Sequence, residues 1–523
     1  VSSFTGPVTA PSDSGAPPGG GRRWLTLAVL SVSLLLTGLD TTVLNVALPT
    51  LVSELDASTS ELQWIVDSYL LMAGSLVLFC GSLADRLGRK WMFMAGLALF
   101  TAASVGAAYA QSVNALIAAR AAMGVGEALI IPATLAVIGN VFPRGAERTK
   151  AIGIWSAAVG VGTVIGPMVG GWLLNNFWWG AVFLINLPIG IAGLVAAAFL
   201  VPNSRSQEVR RLDVLSALLS VTALAGVLWA VIEGPHRGWT SAAVLTAFTA
   251  GVLLLVSFVA RQRSTDAPML PLRIFRQRAL AAGDVLILAG GFALIGTLFV
   301  VVQYLQFVLG YSAWETGLGL GPAALALLIA SPLAGTLTPR VGLRTASATG
   351  LALLLGASAV LGTASADDGY GRVLVAMVLL GAGAGIVITA TSDAIVGSLP
   401  DADLGVGSAT NSASLQLGAA LGVAVGGSLL SDRYRSDLAG DPQSAAVPPE
   451  AFESAQESLG SALTVAGQLP GDAGAAFADA ARRAFVDGMG PSMATAVGVA
   501  AVGIVVALVF APSRAAVRRK DPS

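Results

Sequence analysis

Stretches in which almost every position is apolar recur along this chain, separated by short polar segments. The apolar residues do not alternate with the period of a half-buried strand, nor keep to the single stripe of a soluble amphipathic helix. Predominantly apolar runs of about 17–25 residues, or somewhat longer, have the length a helix needs to cross a bilayer. They fall at 24–47, 62–83, 91–109, 115–142, 150–174, 178–200, 213–233, 241–260, 279–309, 314–338, 344–364, 372–398, 405–430 and 490–511. The pattern predicts an all-α membrane protein with fourteen transmembrane helices.

Composition agrees: 55% of the 523 residues are hydrophobic and 11% charged, against about 25% charged in an ordinary soluble domain. Residues 1–21, rich in Pro, Gly, Ser and Thr, read as a disordered cytoplasmic tail. Arg22 and Arg23 then flank a run of span length with many spans after it, so the pair reads as a membrane flank and not as a cleaved leader. Basic residues mark cytoplasmic loops. Arg22/Arg23, Arg86/Arg89/Lys90, Arg144/Arg148/Lys150, Arg205/Arg210/Arg211, Arg261 to Arg278, Arg340/Arg344 and Arg514 to Lys520 all fall on one side. Both termini are therefore expected in the cytoplasm, with the protein multi-pass in the plasma (inner) membrane. The acidic loop Leu399 to Leu404 departs from the pattern.

An internal repeat emerges at an offset of about 255 residues, a symmetry found in many transporters. Gly81-Ser-Leu-Ala-Asp-Arg-Leu-Gly-Arg-Lys90 aligns with Gly335-Thr-Leu-Thr-Pro-Arg-Val-Gly-Leu-Arg344, and Gly166 to Gly171 with Gly422 to Gly427. The division expected is an N-terminal six-helix bundle at 22–200, two extra spans and a cytoplasmic linker at 201–278, and a C-terminal six-helix bundle at 279–511. An external insertion occupies 431–489 of the last bundle, and a basic cytoplasmic tail follows at 512–523. Within the insertion, Phe477, Ala481, Ala484 and Phe485 share one helical face, which predicts a helix at 473–489 lying flat on the outer surface.

Against this apolar background a few polar residues stand out. Asp40 lies about 24 Å along the first span by helical rise, and an ionisable group inside a bilayer costs roughly 2.5–3.5 kcal/mol on insertion scales. Arg120 is the one basic residue deep in an apolar run and requires an acidic or backbone partner. Glu127, seven residues on, shares its helical face about 10.5 Å away, and reads as a proton carrier, a counter-charge for a cationic substrate, or a residue paired to backbone. Asp67 reads either as a substrate contact or as a water-exposed lip residue. Asp284 and Asp393, near inner span ends, are expected to be solvated. Gln303 and Gln306 lie one turn apart on one face and are candidate substrate contacts. The repeat maps Asp40, Arg120 and Glu127 onto Ile295, Val375 and Ala382, so the proton chemistry is expected in the first half, with neutral contacts from the second. Cys80 and His236, one residue of each type, leave no disulfide or multi-cysteine metal site, and His236 reads as a solvated loop residue. No cofactor is expected, and no lysine stands in a Walker A context.

The motifs resemble those of the fourteen-span drug/proton antiporters of the major facilitator superfamily. Leu39-Asp-Thr-Thr-Val-Leu-Asn-Val-Ala-Leu-Pro49 resembles the first-span signature, Gly81 to Lys90 the superfamily loop, and Arg120-Ala-Ala-Met-Gly124 the fourth-span motif. Gly162-Thr-Val-Ile-Gly-Pro-Met-Val-Gly-Gly171 is similar to the fifth-span antiporter motif, and Phe183 to Pro188, Gln303 to Gln306 and Gln416 to Gly418 fit the same group. Met123 and Glu127 depart from the fourth-span pattern, and Pro339 replaces the aspartate in the second loop copy. The resemblance implies the major facilitator fold, two six-helix bundles plus two inserted spans, with Asp40 near Arg120. It also implies an inner gate at Gly81, Asp85, Arg86, Gly88 and Arg89, with Asp85 engaging the other half. Conformational glycines and a kink would come from Gly162, Gly166, Pro167, Gly170 and Gly171.

The function expected is proton-coupled export of amphipathic, often cationic compounds by alternating access, through Asp40, Arg120 and Glu127. The partners are then a small amphipathic molecule, protons and the lipid bilayer, without nucleic acid, in a protein acting as a monomer and not as an enzyme. A dedicated exporter or carrier of one metabolite or self-made antibiotic fits the same residues. A non-transporting membrane sensor would not need the Asp40/Arg120 pair.

Overall fold

The computed structural model describes residues 20–142, 146–205, 212–265, 268–366, 368–398, 404–470 and 472–512. Most of the expected tails at 1–21 and 512–523, most of the acidic loop at 399–404, and Arg144, Arg210 and Arg211 lie outside them; Gly20 and Gly21 already belong to the first helix.

Hydrocarbon offers no partner for a free backbone N–H or C=O, so chain at membrane depth folds into helix. Among the described residues fourteen helices are long and apolar enough to cross a membrane. The first bundle comprises α1 (Gly20–Leu55), α2 (Thr59–Leu87), α3 (Arg89–Ala108), α4 (Val113–Val141), α5 (Ala146–Asn176) and a sixth crossing made of α6 (Ala181–Leu184) and α7 (Asn186–Leu200). The inserted pair is α8 (Val214–Arg237) and α9 (Ala242–Ser264), after which a short 3-10 turn, Leu272–Arg276, leads on. The second bundle holds α10 (Arg278–Gln303), α11 (Ala313–Val341), α12 (Leu343–Gly362), α13 (Tyr370–Ser398), α14 (Leu404–Gly440) and the last helix, α17 (Asp472–Phe510). Between α14 and α17 come α15 (Pro449–Glu457) and α16 (Leu459–Gln468).

The repeat is visible in local geometry. Ser58 and Ser312 each open the second helix of their half with a capping box, closed by Glu61 and Glu315. The same register places glycine at the junction after each of these helices, Gly88 with φ +113° and Gly342 with φ +87°, where a side chain would be strained. The chain thereby reverses direction between α2 and α3, and again between α11 and α12, without a loop.

Two seams join the bundles. α2 runs along α14 from Gln63, whose amide donates to the Val423 and Ala424 carbonyls, to Val77, packed with Ala409 and Ala413. α5 meets α11 where Gly171 abuts Ala313 and Trp314, and Pro167 abuts Gly317. Those contacts lie at the far face, opposite the face where α1 begins and α17 ends. Towards that near face, Gly153 and Gly160 of α5 have nothing within 4 Å of where a Cβ would sit. The α5–α11 seam is therefore tightly packed at the far face, and α5 makes no such close contact at these two near-face positions.

The far face carries the main departure from the expected layout. Residues 473–489 do not form a flat surface helix; they are the first turns of α17, whose 39 residues span about 58 Å by helical rise against a hydrocarbon path of about 30 Å. Phe477, Ala481, Ala484 and Phe485 are buried, and Gly488 abuts Leu430 of α14. The periodicity signalled an apolar face, but that face meets protein and not lipid. α14 likewise continues past the expected boundary at 430 to Gly440. α15 and α16 form a cap over this end. Thr59 donates to the Glu457 carbonyl at 2.8 Å, Gly460 abuts Val52 and Phe307, and Tyr434 donates to the Ala455 carbonyl at 2.9 Å. The cap thus touches both bundles.

Candidate functional site

Glycines set the spacing of the helices that carry the buried charges. Cβ atoms at Gly162, Gly166 and Gly170 of α5 would collide with Leu35, Leu39, Thr42 and Val43 of α1, and one at Gly124 of α4 with the Tyr69 carbonyl of α2. Thr42 uses the close approach to donate to the Thr163 carbonyl at 3.2 Å. Gly166→Val is accordingly expected to wedge α1 from α5 and to destabilise by about 1–3 kcal/mol, as overpacking does, read as a lowered thermal unfolding midpoint in detergent.

In the space so defined, Asp40 is 0% and Arg120 1% exposed. Arg120 Nη1 donates to Asp40 Oδ2 at 2.5 Å. Asn186 Nδ2 donates to Asp40 Oδ1 at 2.9 Å and to Ser104 Oγ at 2.9 Å, and Ser104 donates on to the Phe183 carbonyl. Arg120 Nε donates to the Ile65 carbonyl at 3.2 Å, and its guanidinium carbon lies 4.2 Å from the Tyr69 ring centre, a cation–π arrangement. One carboxylate thus ties together α1, α4 and α7. A buried ion pair survives only with such supporting hydrogen bonds. A proton placed on Oδ2 would set a donor against the guanidinium and loosen α4 from α1.

Glu127, on the same helix as Arg120 and 4% exposed, faces the other bundle. Gln416 Nε2 of α14 donates to its Oε1 at 3.2 Å and Oε2 at 3.3 Å. The neutral residue of the second half that meets this carboxylate is Gln416, while Gln303 and Gln306, the candidate substrate contacts, are bonded to backbone. Gln303 donates to the Phe299 carbonyl of its own helix. Gln306, in the π-helical turn Tyr304–Val308 that continues α10, donates to the Val46 carbonyl of α1 at 2.9 Å and staples the far face. In the sequence Asn186 and Gln416 stood only within the family-like segments Phe183 to Pro188 and Gln416 to Gly418, without a role or partner to assign.

Other expectations are redrawn. Asp67 is not an exposed lip residue: it is fully buried on the face of α2 that carries Gln63 and Gly74 towards α14, and neither carboxylate oxygen has a hydrogen-bond partner. Asp284 is not solvated but 5% exposed, so the second half does carry a buried acid; Asp393 is exposed. His236 lies in the last turn of α8 beside the Arg435 side chain, half-buried. At the near-face turn, Arg89 Nη2 donates to Asp85 Oδ1 at 2.9 Å and Arg89 Nη1 to the Ala136 carbonyl, while Arg86 is exposed. Asp85 is thus held within its own half, and the cross-bundle contact expected of it is not made in this state.

A family model described as Major Facilitator Superfamily matches residues 30–423. The chain is 36% identical over 490 residues to the multidrug efflux pump LfrA of Mycolicibacterium smegmatis, covering 94% of this chain and 96% of that one. It is 34% identical over 496 residues to the tetracenomycin C resistance and export protein of Streptomyces glaucescens, covering 93% and 91%. With the methyl viologen resistance protein SmvA of Salmonella typhimurium it shares 35% over 474 residues, covering 89% and 93%. Among solved structures, a bacterial homolog of the human lysosomal transporter Spinster, inward-facing and unoccupied, superposes with a TM-score of 0.65 at 17% identity, covering 94% of this chain and 98% of that one.

Proposed function

From the premise that this chain belongs to the Major Facilitator Superfamily, we propose that it exports amphipathic, often cationic small molecules in exchange for protons. The observation that carries the reading is the pair of buried carboxylates on one α4-centred network. Asp40 is locked to Arg120 within the first bundle, and Glu127 is bonded to Gln416 across the two. A sensor or a passive scaffold has no use for two such costly groups.

The basic residues clustered at the near face support its being cytoplasmic. In the state described, the α5–α11 seam is packed at the far face and makes no contact at Gly153 and Gly160 towards the near one, while α2 and α14 stay packed at Val77, Ala409 and Ala413; the α5–α11 side supports entry of substrate from the cytoplasm or the inner leaflet. A cation reaching Glu127 would displace the Gln416 amide and so act on a contact between the bundles. After reorientation and release outside, a proton taken by Asp40 or Glu127 neutralises the vacated carboxylate and allows the return. Inward proton movement supplies about 2.3 kcal/mol per charge per 100 mV, before any pH term.

The test is substrate-induced proton release from the purified protein, with methyl viologen as the cation and a neutral polyketide as the contrast. Glu127→Gln is expected to lower apparent affinity for the dication by tenfold or more, about 1.4 kcal/mol, with a much smaller effect on the neutral compound. Proton release by the neutral compound and none by the dication would instead favour a dedicated exporter, the reading suggested by the tetracenomycin C relative.

A further inference from the structure

The second bundle contains a buried acid that the scheme above does not use. Asp284 lies on α10 about 9 Å from the helix start by rise, is 5% exposed, and has no hydrogen-bond partner for either carboxylate oxygen. One turn towards the near face, Leu280 joins Ile274 and Ile395 in an apolar plug, packed by Leu270, Phe275 and Val406. The adjacent Gly283 faces Thr391 and Ile395 of α13. One turn away from the near face, Leu288 presents its carbonyl to Gly418 of α14, and Gly291 abuts Leu415. That register sets Asp284 level with the turn Asn411 to Ser414 of α14. Asn411 is itself 9% exposed, donates to Ser392 Oγ at 3.3 Å, and leaves its own oxygen Oδ1 without a partner.

The charged and titratable groups on the elements packed around Asp284 are few. Towards the near face they are Arg278 on α10 itself, Arg273 and Arg276 on the 3-10 turn, Asp393 on α13 and Arg344 on α12, which donates to the Ala511 carbonyl; the others, Tyr370 and Arg372 of α13, Asp432 to Asp437 of α14 and Asp472 to Asp487 of α17, lie at the far face. Residues 406–431 of α14 and 488–510 of α17 contain none. Of the near-face groups, Arg273, Arg276, Arg278 and Asp393 are exposed. An ionised carboxylate without a partner at this depth costs several kcal/mol, so the described state suits a neutral carboxyl.

We propose that Asp284 is a second proton-binding residue, in the half without the Asp40–Arg120 pair, whose exchange with near-face water is gated by the plug around Leu280. When the plug parts, the O–H bond breaks, the proton passes to near-face water, and the electron pair stays on the carboxylate; the reverse reloads it. The plug includes Ile274 of the 3-10 turn, so the linker from the inserted helices would set when that exchange occurs. The proposal rests on the proton-coupled reading above.

The test uses the full chain in proteoliposomes with methyl viologen, at zero potential and a one-unit pH gradient. Asp284→Asn is expected to lower the protons moved per substrate by one, and hence the limiting accumulation by about tenfold, with apparent substrate affinity within twofold and recovery in Asp284→Glu. In infrared difference spectra, the wild type should show a protonated-carboxyl stretch that Asp284→Asn lacks and that Ile274→Ser makes exchange faster with deuterium. An unchanged proton ratio with an unchanged carboxyl band would overturn the proposal, as would sodium-dependent transport lost in Asp284→Asn, which would make the group a cation ligand. If the wild type moves no protons with substrate, the export reading fails first, while the infrared band still reports whether Asp284 carries a proton.

Discussion

Asp40→Asn should leave a protein that is inserted and folded but no longer accumulates substrate against a gradient. The new amide keeps an acceptor for Arg120, and Asn186, whose own Oδ1 has no partner, can turn its amide to receive the added N–H. The geometry of the three-helix junction is thus approximately preserved, while the group can no longer gain or lose a proton. One coupled proton is worth about 2.3 kcal/mol per 100 mV and about 1.4 kcal/mol per pH unit. Their sum corresponds to roughly 500-fold in attainable accumulation. The measurement is methyl viologen transport in proteoliposomes under an imposed proton gradient, alongside counterflow exchange, which needs no net proton movement. Normal gradient-driven transport by Asp40→Asn would refute its role; lost transport with retained exchange is the expected signature.

Arg120→Met should act on the same junction in the opposite sense. It removes the cation, the hydrogen bond to the Ile65 carbonyl and the contact with Tyr69, and leaves Asp40 buried with only Asn186. Breaking one side of a buried pair costs about 3–5 kcal/mol, because the remaining charge is stranded. A large fall in the thermal midpoint and in membrane yield is expected. Combining Arg120→Met with Asp40→Asn removes the stranded charge and should recover much of the stability without recovering transport. If the double variant is as unstable as Arg120→Met alone, the loss comes from missing packing and hydrogen bonds, not from charge.

Much of the layout was legible because a bilayer imposes a simple rule. Continuous apolar runs become helices, and among the described residues the fourteen runs appear as fourteen helices, most with ends displaced by a few residues but α1 and α14 running eight and ten further at the far face. The exception is informative. At 473–489 the sequence shows a one-sided apolar face, but periodicity reports only that the face is covered, not whether lipid or protein covers it. The pairing of Asp40 with Arg120 was foreseeable because a buried guanidinium needs a partner and the resemblance implied that the first and fourth spans bring Asp40 to it. Polar neutral residues lack that constraint. Gln303 and Gln416 look alike along the chain, yet one turns back to its own helix and the other reaches Glu127. Asp284 shows the same limit: nearness to a span end suggested water, whereas residues distant in sequence, Ile274 and Ile395, help close the near side.

The cap has a consequence for how the molecule could be observed. Both of its ends are joined to the second bundle through α14 and α17, yet α15 and α16 rest on Val52 and Thr59 of the first. Any separation of the bundles at that face must uncover the surface between Gly460 and Val52. That surface would be a conformational epitope, hidden in one half of the cycle and available in the other. A binding fragment or thiol label directed to it would count how often the transporter opens at that face.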